Sequence, residues 1–172
     1  MAKVTGMLCQ ILTANIDDAG TDGTVYLGIG GREFHLDSTE DDFEKGSARE
    51  YFLGAPPIPG PSTGGPIDQR QVLDPDKNDP RKALPLDTND LGRTPVYLRF
   101  EPEDGRTDDH WNLHFAAVLV YDTAFFNGYL VPDNYKDLWL GHKTGKILYL
   151  TKEFKNTDIV SKGRKLAAQL KK

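Results

Sequence analysis

The chain has 172 residues, a net charge of −5 and a pI near 5.3; that is long enough for a real hydrophobic core, and the charge is wrong for a nucleic-acid binder driven by its overall field. Its single cysteine, Cys9, excludes an internal disulfide framework and a cysteine zinc cluster. No run approaches the ~20 apolar residues of a transmembrane segment, and the N-terminus lacks the apolar stretch and cleavage site of a signal peptide, so the expectation is a soluble protein, cytoplasmic or exported without a cleaved leader.

In chain order, KVTGMLCQILTANI predicts a β-strand in which Cys9 is a buried, inert side chain. Next, TVYLGIGGREFHLD predicts a hairpin turning at Gly30-Gly31, where both central residues need positive φ. That turn fixes the register, with Ile29 opposite Arg32, Leu27 opposite Phe34 and Val25 opposite Leu36. Val25, Leu27, Ile29, Phe34 and Leu36 then form one apolar face, while Tyr26, Gly28, Glu33 and His35 point the other way. The open end of the hairpin gathers Asp17, Asp18 and Asp22 near Asp37, Glu40, Asp41 and Asp42. DFEKGSAREYFLG predicts a turn at Lys45-Gly46 and a short strand through Tyr51 and Leu53.

From 55 to 85 the chain is rich in proline, which fixes φ and cannot donate to a ladder, so a long inserted excursion is expected there, either functional or disordered. TPVYLRFEP then predicts a strand. In HWNLHFAAVLVYD, Trp111, Leu113, Phe115, Ala117, Leu119 and Tyr121 alternate, yet Val118 and Val120 are apolar on the other parity, which implies a bulge or burial of both faces. Trp111, Leu113 and Phe115 are expected to pack against Val25, Leu27 and Phe34. In YDTAFFNGY, Phe125 and Phe126 cannot both face inward on a regular strand, so they are candidates for membrane or partner contact, or else a cap on the core. DLWLGHKTGKILYLTKE predicts a hairpin turning at Lys143-Thr144-Gly145. The basic tail has helical composition, weakened by Gly163, and its thin apolar face predicts a solvated or frayed terminus. Short strands separated by turn signals indicate an all-β fold, an antiparallel β-sandwich of two packed sheets.

Motifs for catalysis are sparse. His110 and His114 are about 13 Å apart on a regular strand, too far for one zinc unless a bulge intervenes. There is no Gly-x-Ser-x-Gly elbow, and GHKTGK is one residue short of a phosphate loop and lies outside a βαβ pattern. The carboxylate pair Asp41 and Asp42 keeps an enzyme open as an alternative. A carbohydrate-binding sandwich is another, with Tyr129, Tyr135 and Trp139 as its exposed aromatics.

AGTDGTVYLGIGG, LDSTEDDFEKGSAREYFLG, DHWNLHFAAVLVYD and DLWLG together resemble the PLAT (LH2) domain family, found in lipoxygenases, lipases and bacterial phospholipase C toxins. The resemblance runs from Val4 to Phe154 around the proline-rich insertion, which the family pattern lacks. It implies one PLAT-like β-sandwich over 1–156 and a basic tail over 157–172. It also implies a non-catalytic module that targets lipid, a membrane surface or a protein partner, in some members with calcium. By motif position the calcium ligands fall on the Asp18 carboxylate and the Gly20 carbonyl, joined by Asp108 or Asp109. A second set falls on Asp37, Ser38, the Glu40 carbonyl and Asp42, although Ser38 and Glu40 depart from the amide and glycine of the toxin loops. Oxygen donors of this kind suit calcium. The alternative is that these acids only solvate strand ends and discourage edge pairing.

Overall fold

A computed structural model describes residues 2–55, 65–123, 126–132, 135, 137–153 and 157–171. Eleven strands appear among them: β1 (Gly6–Thr13), β2 (Thr24–Ile29), β3 (Arg32–His35), β4 (Ala48–Gly54), β5 (Asp68–Gln71), β6 (Tyr97–Glu101), β7 (His110–Tyr121), β8 (Phe126–Leu130), β9 (Leu138–Gly141), β10 (Ile147–Tyr149) and β11 (Thr151–Glu153), followed by helix α1 (Thr157–Leu170). They form two sheets. The larger runs β11-β8-β7-β1-β4-β5, with β9 also on β7, and the smaller runs β10-β6-β2-β3. All pairings are antiparallel except β4 with β5. The chain is a β-sandwich.

The hairpin lies in the expected register, Ile29 against Arg32 and Leu27 against Phe34, and the Leu36 N–H donates to the Val25 carbonyl (2.9 Å). Its five apolar residues are fully buried. On the opposite face, the Arg99 guanidinium sits 4.1 Å from the Tyr26 ring centroid and forks onto Glu33 at 2.7 and 2.8 Å. Those hydrogen bonds hold the Glu33 carboxyl below the usual carboxylate range.

The long strand β7 resolves its two-parity pattern by both routes. Against β1 the register runs Leu12 to Phe115 and then Thr13 to Leu113, so His114 is an extra residue in a bulge. The bulge reverses which way later side chains point. Trp111 stays in the sandwich interior, near Phe43 of the loop after β3 (5.4 Å) and Phe100 of the opposite sheet (6.0 Å). Phe115 is buried as well, but on the outer face of the larger sheet: a Cβ on Gly163 of α1 would lie 3.1 Å from its ring. The expected packing of Phe115 against the hairpin is therefore corrected.

That outer face is covered by α1, whose Ile159 and Ala167 are buried. The tail is a docked helix rather than a frayed terminus. Beneath it lies the buried carboxylate of Glu50, which accepts from Gln10 Nε2 (2.7 Å), Gln69 Nε2 (2.8 Å) and Arg164 Nε (3.3 Å). Such partners are what make a buried charge tolerable. Gly163, a weak helix former, has a packing reason, because a Cβ there would meet Gln10 Oε1 at 2.0 Å. Gly163→Leu should therefore lower stability by about 1–3 kcal/mol through overpacking, despite gaining roughly 1 kcal/mol of helix propensity. Denaturant unfolding measures the net sign.

The described part of the proline-rich stretch closes one side of the sandwich. Its residues Asp68–Gln71 add β5 to the edge of β4, a strand the prolines did not predict. Asn78 Oδ1 accepts from the His35 N–H at the edge of β3 (2.8 Å), and Arg32 donates to the carbonyls of Lys82 (3.0 Å) and Leu84 (2.8 Å). At the opposite side, Gly141 to Ile147 is a corner between sheets: β9 pairs with β7 and β10 with β6, and only Gly141 and Gly145 bridge directly. The hairpin expected there is corrected on this point. Among the described residues no helix is long and apolar enough to cross a membrane.

Candidate metal centre

Three loops meet at one end of the sandwich: residues 14–23 after β1, 36–47 after β3 and 102–109 before β7. Backbone hydrogen bonds lace them together, with the Gly46 N–H donating to the Ala14 carbonyl (3.0 Å), Thr21 N–H to Phe43 (3.3 Å) and Asn112 N–H to Ala19 (3.0 Å). Gly20 allows this approach, since a Cβ there would stand 3.0 Å from the Lys45 nitrogen. Asp18 adopts φ of 61°, a left-handed conformation that Asp accepts more readily than most residues.

The first predicted ligand set is brought together. Asp18, Gly20, Asp108 and Asp109 line one hollow of about 310 Å³ with Arg106 and His110. Asp109 already has partners: one oxygen accepts from Thr21 Oγ1 (2.9 Å) and the other from the Glu103 N–H (2.9 Å). It serves as the clasp between two loops, and Asp108 is the freer of the pair.

The second set is brought together apart from Ser38, and Asp42 is already engaged. Asp42 is 5 % exposed, and its two oxygens accept from the Ser38 N–H (2.7 Å) and Ser38 Oγ (2.8 Å). Burial pushes its carboxyl up, opposed by those hydrogen bonds and by nearby Arg49. Asp42 and Ser38 thus close the 36–47 loop on itself. Asp37, Glu40 and Asp42 all line a neighbouring hollow of about 210 Å³, together with Asp22 and Asp41.

Beside this hollow, the carboxylates of Asp22, Asp41 and Glu44, all exposed, approach within 4.8 Å of one another. Partial desolvation and the charges of Asp41 and Asp22 push the Glu44 carboxyl up. Three oxygens at that separation fit around one calcium, whose metal–oxygen distances are 2.3–2.6 Å. The sequence placed Asp22 and Asp41 at this end without assigning them to a metal, and did not single out Glu44. Its only signal was position, directly before the Lys45-Gly46 turn that folds it back toward Asp22.

Other candidates are placed as follows. Phe125 lies outside the described residues, as does the side chain of Phe126, which begins β8. His114 Nδ1 is 2.6 Å from Asp137 and His110 Nδ1 is 2.6 Å from the Asp108 carbonyl, so the two rings have separate partners. The aromatic trio proposed for sugar binding is broken, because Tyr129 is buried. A further hollow of about 300 Å³ adjoins Asp108 and is lined by Trp139, His142 and Lys143.

The sandwich is similar to alpha toxin from Clostridium absonum, with a TM-score of 0.53 and 21 % identity over 87 % of this chain and 32 % of the toxin. It is also similar to a lipoxygenase (LOX) variant, with a TM-score of 0.50 and 15 % identity over 86 % of this chain and 16 % of that one. The fold is PLAT/LH2-like. Coral 8R-lipoxygenase aligns over 95 % of this chain and 20 % of its own, at 18 % identity and a TM-score of 0.46. This PLAT-like chain spans about a third of the toxin and a fifth or less of the lipoxygenases. No family model and no curated protein matches the sequence.

Proposed function

We propose that this PLAT-like sandwich is a non-catalytic binding module whose acidic loop end docks on a lipid surface, with calcium as the bridge. The observation that carries the reading is the convergence of Asp22, Asp41 and Glu44 within 4.8 Å, at the same end of the sandwich where Asp18 and Gly20 line a further hollow. These are hard oxygen donors, exposed and mutually repelling, which a divalent cation neutralises. A calcium held there with open positions would accept oxygens from an anionic headgroup. The hollow of Trp139, His142 and Lys143 beside Asp108 supports a lipid ligand, since an indole suits the interfacial layer and a lysine suits phosphate.

The test is co-sedimentation with vesicles of anionic phospholipid, in millimolar calcium and in chelator. The vesicle affinity should rise at least about tenfold with calcium, a shift of ~1.4 kcal/mol in binding. Trp139→Ala should weaken vesicle binding and leave calcium binding itself unchanged. Equal binding in calcium and chelator would remove calcium from the proposal.

A further inference from the structure

The two sides of the sandwich are finished differently. At one side, the segment after residue 65 pairs with β4 and caps β3 through Asn78 and Arg32. At the other, β10 is the outer strand of the smaller sheet and, among the described residues, pairs only with β6. No described residue pairs with its outer edge. An unpaired edge is a template for another strand, and proteins commonly guard it with a proline, a bulge or an inward charge. Ile147–Tyr149 has none of the three.

The hydrogen-bond phase of β10 is fixed by its partner. The Lys146 carbonyl accepts from the Phe100 N–H (2.8 Å), and the Leu150 N–H donates to the Val96 carbonyl (2.8 Å). Leu148, opposite Leu98, also faces β6 with both backbone groups. Ile147 and Tyr149 therefore direct N–H and C=O outward. Their side chains stand on the outer face of the sheet, 47 % and 59 % exposed, while Leu148 between them is buried in the core.

We infer that β10 is a self-pairing edge, which joins two copies of this chain in an antiparallel dimer about a two-fold axis at Leu148. With Leu148 opposite Leu148 of the second copy, Ile147 falls opposite Tyr149 on both sides of the axis. Both are outward-facing residues, so each such pair exchanges two hydrogen bonds, making four in all. Each also sets a β-branched side chain beside an aromatic ring, a favourable cross-strand pairing. No like charges oppose one another, because Lys146 comes opposite Leu150 and is already paired with Glu101 at 2.8 Å. A heterologous strand would satisfy the hydrogen bonds equally, and a second copy supplies this side-chain match from the chain's own Ile147 and Tyr149. The contact is isologous and closes on itself. It uses none of the residues proposed to hold calcium, so it is tested without the ion.

The test is sedimentation of the full chain from about 10 µM to about 1 mM, a range that captures weak association, in chelator. The average mass should climb from 19.2 kDa toward twice that value. Ile147→Pro removes one outward donor and no bond to β6, and Tyr149→Lys places a charge on the edge; each should leave the chain monomeric throughout with its melting temperature little changed. Should the proline variant fail to fold, the lysine variant decides alone. Register is read by oxidation: an Ile147→Cys sample mixed with a Tyr149→Cys sample should cross-link faster than either alone, with buried Cys9 inert. A wild-type chain that stays monomeric at about 1 mM overturns self-pairing, as does a dimer that survives Tyr149→Lys or cross-links equally in every mixture. Vesicle binding plays no part in any of these readouts.

Discussion

Trp111→Ala should destabilise the fold by about 3–5 kcal/mol, the range for truncating a large aromatic in a core that does not collapse. Trp111 is fully buried, with its ring against Phe43 of the loop after β3 and Phe100 of the facing sheet. Its indole N–H donates to Thr13 Oγ1 (2.9 Å) on the neighbouring strand, just where the β1–β7 register shifts. Truncation thus leaves a cavity next to the bulge and removes one partner of a buried hydroxyl, which keeps the Phe43 carbonyl (3.4 Å) and Ser47 Oγ (3.2 Å). Trp111→Phe should cost less, because most of the ring volume remains. Denaturant midpoints at a common slope provide the comparison, and a Trp111→Ala loss below about 1 kcal/mol would contradict this packing.

Calcium should stabilise the folded chain by about 2.7 kcal/mol when its free concentration is ~100 times the dissociation constant, since the loops converge only when folded. Magnesium should do less, because it demands tighter octahedral geometry and sheds water reluctantly. Two variants locate the ion. Glu44→Gln should raise stability in chelator by about 0.3–1 kcal/mol, the scale of an exposed charge interaction, and should abolish the calcium gain if the Asp22, Asp41, Glu44 cluster holds the ion. The sign follows from the raised Glu44 carboxyl. Its folded form is favoured below the ordinary carboxylate range, and that contribution is lost as pH rises through the raised value, so repulsion is fully present at neutral pH. Asp18→Ala should abolish the gain if the neighbouring hollow is used instead. Calorimetric melts in calcium and in chelator report both. Identical melts for the wild type would leave these acids as solvated strand ends.

A hairpin turn with two glycines and strict alternation fixes local register by itself, which is why the β2–β3 pairing and its apolar face were legible in the sequence. The gathering of acidic loops at one end was legible for the same reason, as a consequence of that register. Asp18, Gly20, Asp108 and Asp109 were singled out by their resemblance to a family pattern, and the structure brings them to one hollow. Which carboxylates remain free was not legible. Asp42 and Asp109 read like their neighbours, yet Ser38 claims one and Thr21 with Glu103 the other.

The sequence read β7 and β1 as strands, but both are apolar on two faces, so the pattern left open where each face goes. Only the tertiary structure decided it. The bulge at His114 turns Phe115 outward, and α1 covers that face because Gly163 lets it approach Gln10 closely. A thin stripe of small residues has little burial energy to advertise as a pattern, and its value exists only once the complementary sheet face is formed. The corner at Gly141–Gly145 has the same origin. Two strands joined by a turn read as a hairpin until other strands compete for their edges, and here β7 and β6 take them. Local sequence determined most strands and turns and the acidic end, though not β5 or β8; long-range pairing decided the faces, the edges and which acids neighbouring side chains claim.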